Sequence, residues 1–230
     1  MRLRTLRDIQ TWGSAVRFGG GLLEHGIKPG AILATVTANT AHLVTATLGA
    51  TEVGLGVATL CPTSQPGENS PPVTGEEINT EYSLSSVESL CRQLVSCQAS
   101  VVLTTSDHLH KVATAARYYG KLKLVIIVQT GEEEEEREDR KNVGMEVETV
   151  RYVEMISSPV STWPAEADLR PYYLQYPALL NWRGDSQGDF LAFSHHNLIS
   201  GVMELHTCCR TEADGQLTSL GRFGLSPSLV

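Results

Sequence analysis

Arg183, Gly184, Asp185, Ser186, Gly188 and Asp189 are the residues of this 230-residue chain whose types and spacing best fit chemistry. They fall inside Tyr176 to Ser200, YPALLNWRGDSQGDFLAFSHHNLIS, which reads as strand, glycine-rich loop, strand and helix start. Ala178-Leu179-Leu180 and Phe190-Leu191-Ala192-Phe193 are short apolar runs, Gly184 and Gly188 bracket a polar turn, and Ser194 can cap a helix beginning at His195. Glycines between two buried strands let backbone N–H groups converge on one concavity, and such a nest attracts anions such as a nucleotide phosphate. The same letters spell a second chemistry. Gly184-Asp185-Ser186-Gln187-Gly188 fits Gly-x-Ser-x-Gly, the hydrolase elbow with Ser186 as nucleophile. That elbow needs a helix leading out, whereas Gly188 is followed by Asp189 and an apolar, strand-like run; only His195, His196 and His206 follow as bases.

Other chemistry-bearing residues have plainer readings. His195 and His196 are successive on a helix and point roughly 100° apart, which makes a poor chelate and favours capping and packing. His206, Cys208 and Cys209 lie close together, but no second Cys/His pair has zinc-site spacing to complete a tetrahedron. His108 and His110 read as surface residues, and Trp182 as a packing tryptophan or a platform for a purine.

Alternating elements must position the glycine-rich segment. Thr5 to His25 repeats apolar residues at helical spacing and ends at Gly26 and Pro29-Gly30; Ala31 to Thr37 follows as a strand. Asn39 is placed to cap a helix through Gly54, and Gly56 to Cys61 reads as a buried strand. Ser85-x-x-Glu88 reads as a capping box opening a helix to Gln98, followed by a β-branched strand, Val101 to Thr105. Ser106 or Asp107 then caps a helix to Tyr119, and Leu122 to Val128 is the most hydrophobic strand. Glu148 to Ile156 reads as a further strand and Ser157 to Pro171 as a proline-bearing loop. Such alternation implies right-handed βαβ units: an α/β fold with a mainly parallel sheet and helices on both faces. Residues 62–80 and 130–142 read as exposed loops or insertions, the second carrying the run GEEEEEREDRK. The folded domain is expected over 1–205 and a poorly ordered tail over 206–230.

Composition bounds the partners. The net charge of −8 disfavours a nucleic-acid binder, though much of the acid sits in the run at 131–141, which is also the candidate surface for a protein partner. Five cysteines without regular spacing fit a reduced chain, and no segment approaches 18 uninterrupted apolar residues. The expectation is a soluble, intracellular, cytoplasmic protein with no membrane span.

The tail Ser194-His195-His196-Asn197-Leu198 resembles the end of the phosphate-binding motif of the AMP-forming adenylating enzymes: acyl-CoA synthetases, 4-coumarate–CoA ligases and luciferases. Their pattern runs Ser/Thr-Ser-Gly-Thr-Thr-Gly-x-Pro-Lys-Gly-Val, two apolar residues, then Ser/Thr-His-x-Asn-Leu. Anchored on that tail, Asn181 and Trp182 fall on the leading hydroxyl positions, Arg183 on the first glycine, and Gly184 and Asp185 on the two threonines. Ser186 falls on the second glycine, Gly188 on proline, Asp189 on lysine and Phe190 on the third glycine. Two further stretches are similar to the family: TLRDIQ…GLLEHGIKPGAILATVTANTAHLVTATLGATEVGLGV and EYSLSSVESLCRQLVSCQASVVLTTSDHLHKV, so the resemblance spans roughly residues 5 to 205.

The resemblance implies the N-terminal subdomain of an acyl-CoA synthetase. In that family a carboxylic acid substrate is activated by ATP and Mg²⁺ to an acyl-adenylate, from which CoA takes the acyl group. The loop departs from the pattern, since carboxylates stand where a hydroxyl and a cation hold the triphosphate. A unit charge at about 4 Å in a medium of effective dielectric near 20 is worth roughly 4 kcal/mol, and Arg183 offsets only part of the reversal. The resemblance therefore implies a truncated, degenerate relative, inactive alone, with no catalytic residue and no metal site of its own; the alternatives are a non-catalytic interaction module and a Ser186 hydrolase.

Overall fold

The computed structural model describes residues 6–37, 40–60, 80–129, 147–157, 166–182 and 190–213. The described residues up to Ser194 form one compact unit that carries the sheet, and those from His195 on fall in a second.

Four strands are apolar runs with almost every residue buried: β1 (Ile32–Val36), β2 (Gly56–Thr59), β3 (Val101–Thr105) and β4 (Leu124–Val128). A strand without polar alternation has both faces covered, which is the condition of a parallel sheet. β5 (Glu148–Arg151), β6 (Pro177–Trp182) and β7 (Phe190–Ser194) complete seven strands in the order β5-β4-β3-β1-β2-β6-β7. All neighbours are parallel except β6 and β7, which are antiparallel. The chain leaves central β1 for β2 on one side and returns across it to β3 on the other. Thr104 Oγ1 donates to the Val36 carbonyl at 3.1 Å, so the hydroxyl is satisfied within the core.

The helices divide between the faces as the side chains alternate. Phe18 and Leu22 of α1 (Leu6–Glu24), Ala46 and Ala50 of α2 (Ala41–Glu52) and Tyr152 and Met155 of a short helix pack against Leu33, Leu103 and Ile126. Leu90 and Leu94 of α3 (Thr80–Cys97) and Leu109 and Val112 of α4 (Ser106–Tyr119) pack against Ala34, Val102, Val125 and Ile127 on the other face. This is the mainly parallel, two-sided α/β architecture that the alternation implies.

Helix ends are settled by backbone in the left-handed region. Gly26 (φ 72°), Gly54 (φ 77°) and Gly120 (φ 68°) follow α1, α2 and α4. After α3 the same place is taken by Gln98, at φ 53°. Its N–H donates to the Val95 carbonyl at 3.2 Å and the next N–H, of Ala99, donates to Leu94 at 3.2 Å, the paired bonds of a Schellman turn. A Cβ in that region is costly where glycine is not. Gln98→Gly is expected to raise unfolding free energy by about 1 kcal/mol; a urea melt with an unchanged or lower midpoint would contradict the strain.

Several boundaries differ from those the sequence implies. Asn39 lies outside the described residues, and the α2 cap is Thr40, whose Oγ1 accepts from the Leu43 N–H at 3.3 Å. Ser85 and Glu88 do not open α3, which begins at Thr80; Glu88 instead accepts from Arg92 one turn on, at 2.7 Å. The cap position of α4 is Thr105, without a side-chain cap bond, so Ser106 and Asp107 stand in the first turn. Strand β5 stops at Arg151, and Tyr152–Ser157 is helix α5. Glu154 explains the turn: its carboxylate accepts from the Arg151 N–H at 3.1 Å and from Nε at 2.6 Å, while Tyr152 and Met155, three apart, share a buried side.

The expected loop to Pro171 contains α6 (Glu166–Gln175), with Pro171 inside it. Pro171 removes one helical bond, and tertiary contacts keep the helix: Leu169 is buried and the Tyr173 hydroxyl donates to the Glu52 carbonyl at 2.8 Å. Helix α7 (His195–Ala213) runs past residue 206, where a tail is expected. Of the expected loops at 62–80 and 130–142, only Thr80, the first residue of α3, is described.

Candidate functional site

The sequence implies a buried strand on each side of the glycine-rich segment. β6 and β7 are both strands, but of their residues only Ala178 is buried, because β7 is the edge of the sheet. The two strands pair antiparallel, with Leu179 opposite Phe193, Leu180 opposite Ala192, Asn181 opposite Leu191 and Trp182 opposite Phe190. Their near ends are pinned by an aromatic contact. The Trp182 and Phe190 rings meet edge to face with centroids 5.0 Å apart, so the tryptophan packs against its cross-strand partner. β6 is anchored on its other side by β2: Thr59 Oγ1 donates to Asn181 Oδ1 at 2.9 Å, a contact between residues 122 apart in sequence. β6 runs parallel to β2, so Trp182 ends at the carboxyl edge of the parallel sheet, where open α/β sheets bind ligands.

Arg183, Gly184, Asp185, Ser186, Gly188 and Asp189, which connect Trp182 to Phe190, lie outside the described residues. Their covalent place is fixed by the paired strand ends on either side. The element that follows them is strand β7 and not a helix, which removes the support a Ser186 elbow requires. Ser194 closes β7, and His195, His196 and Asn197 open α7. Partial burial holds the His195 imidazole below its ordinary value, so it favours the neutral form.

The polar side chains at 183–189 are one guanidinium, two carboxylates, a hydroxyl and the Gln187 carboxamide. That set does not fit a triphosphate, whose charge calls for cations and bare N–H groups. Among the described residues no group of three or more His, Cys, Asp or Glu side chains could hold a metal ion. His108 and His110 sit on α4, with His110 exposed, and the side chains of His206, Cys208 and Cys209 lie outside the described residues. Among the described residues no helix is long and apolar enough to cross a membrane.

No family model matches the chain, and no curated protein matches its sequence. Solved structures do match. The A domain of carboxylic acid reductase from Segniliparus rugosus, in complex with AMP and a co-purified carboxylic acid, is 16% identical, with a TM-score of 0.59, over 83% of this chain and 28% of that one. A fatty acyl-adenylate ligase structure, from work on the E. coli and L. pneumophila enzymes, is 14% identical, with a TM-score of 0.55, over 87% of this chain and 29% of that one. A red-emitting luciferase from Phrixothrix hirtus is 16% identical, with a TM-score of 0.53, over 82% of this chain and 38% of that one. The chain thus spans between 28% and 38% of the length of these three structures. Its seven-stranded sheet has the fold of the N-terminal subdomain of the adenylating enzymes.

Proposed function

We propose that the chain is a degenerate relative of the AMP-forming acyl-CoA synthetases, retaining the sheet that presents the phosphate-binding segment but not the ability to activate a carboxylate by itself. One observation carries the reading: Asp185 and Asp189 stand in the connection between the paired ends of β6 and β7, where the family motif has a threonine and a lysine. The neighbour in complex with AMP and a co-purified carboxylic acid supports the substrate class of this reading. Here the segment presents negative charge to a polyanion, which at close range exchanges an attraction of roughly 4 kcal/mol for a repulsion of similar size. Free Cys91 and Cys97 support placement in a reducing compartment.

The test is ATP–pyrophosphate exchange with Mg²⁺ and a panel of aliphatic and aromatic carboxylic acids on the purified chain. Exchange is expected to stay at the protein-free background with every acid. Acid-dependent exchange by the unaltered chain would overturn the reading.

A further inference from the structure

A cavity of about 530 Å³ opens on the α3/α4 face of the sheet, between the end of α3 and the β6–β7 hairpin. It extends along the sheet as far as Phe190, the residue that follows 183–189 and pairs with Trp182. Ile32 and Pro177 begin their strands and Ser100 immediately precedes β3, so the cavity sits toward the amino ends of the parallel strands. Its size is that of a small-molecule site.

We propose that this cavity binds a neutral aromatic molecule carrying a carboxamide or similar hydrogen-bonding group. Among the described residues that line it none carries a charge, so an ionic ligand would lose water and gain no counter-charge from them. Ile32 and Leu180 supply apolar sheet surface, and two lining rings are held by neighbours: Phe190 against Trp182, and Tyr176 against Tyr172 with centroids 5.5 Å apart. Rings already fixed in place give up little freedom when a planar ligand packs on them. The hydrogen-bonding side is Gln98, which with Ser96 lines the end of α3. The residue is exposed, and its backbone keeps a left-handed conformation that glycine takes after α1, α2 and α4. Backbone strain retained at a residue that lines a cavity is the pattern of a functional contact.

The inference does not depend on nucleotide chemistry at 183–189. Its test is calorimetric titration of the full chain with 2-naphthamide and with 2-naphthoate, which share a ring system and differ in charge. The amide is expected to bind saturably and the carboxylate about tenfold or more weaker. Gln98→Gly is expected to weaken the amide about tenfold while raising the melting temperature, so that lost binding cannot be assigned to lost folding. Leu180→Trp, which fills the cavity, is expected to abolish binding with an unchanged far-ultraviolet spectrum. Absence of saturable amide binding, equal affinity for the two compounds, or affinity unaltered in Gln98→Gly would overturn the proposal.

Discussion

Gly49→Ala is expected to destabilise the chain by about 3 kcal/mol, against a gain of about 1 kcal/mol that the same exchange brings in an unobstructed helix. Gly49 lies in α2 where that helix crosses α1, and a Cβ built there would stand 2.3 Å from the Ala15 carbonyl oxygen and 3.1 Å from the Gly19 nitrogen. Both are backbone atoms, so relief requires moving a helix and not turning a side chain. α1 and α2 share one buried face with β1, β2 and β3, and separating them opens the core around Phe18, Ala46 and Ala50. Gly13→Ala in α1 is the control, because a Cβ there meets nothing within 4 Å, and it is expected to stabilise slightly. Urea melts of the two variants should shift in opposite directions. A Gly49→Ala midpoint equal to that of the unaltered chain would refute the close approach.

Stability is expected to fall steeply in alkali. Burial raises the Cys97 thiol from an ordinary 9.0 to about 12, and burial likewise raises Cys91, Tyr119 and Tyr152. Below pH 9 the Cys97 thiol is protonated in both folded and unfolded chains and contributes no slope. Between 9 and 12 the unfolded chain loses that proton first, so the folded state is disfavoured by about 1.4 kcal/mol per pH unit from this group alone. Summed over the window, Cys97 accounts for up to about 4 kcal/mol, with the other three acting in the same direction. Urea melts at pH 8, 9.5 and 10.5 on the chain and on Cys97→Ala provide the check. The variant should show a shallower alkaline decline, whatever its loss at pH 8 from the missing sulfur, and parallel declines would place Cys97 in water.

The strands were legible because a fully buried parallel strand writes itself as an uninterrupted apolar run: Val101 to Thr105 is the strand that its sequence implies, and Leu124–Val128 lies within the implied span. The glycine stop after α1 was equally readable, since a left-handed position favours a residue without Cβ. Neighbour order was not readable, because nothing local in Thr59 announces that it bonds Asn181. Proline misled at Pro171, where contacts from Leu169 and Tyr173 outweigh the missing helical bond. Two apolar residues three apart misled at Tyr152 and Met155, where a strand was the simpler continuation of Glu148–Arg151. Of the site, the sequence supplied both flanking strands and the charges between them. The Trp182–Phe190 contact that pins the strand ends arises only once the antiparallel register is known.

We propose that Asp185 and Asp189, where the adenylating-enzyme motif has a threonine and a lysine, oppose ATP binding by this chain. Equilibrium binding of ATP with Mg²⁺ to the purified chain, measured beside Asp189→Lys, tests it most directly. The unaltered chain is expected to bind weaker than about 1 mM, and Asp189→Lys to bind at least about tenfold tighter as repulsion becomes attraction. Saturable micromolar binding by the unaltered chain, or tighter binding by it than by Asp189→Lys, would contradict the claim.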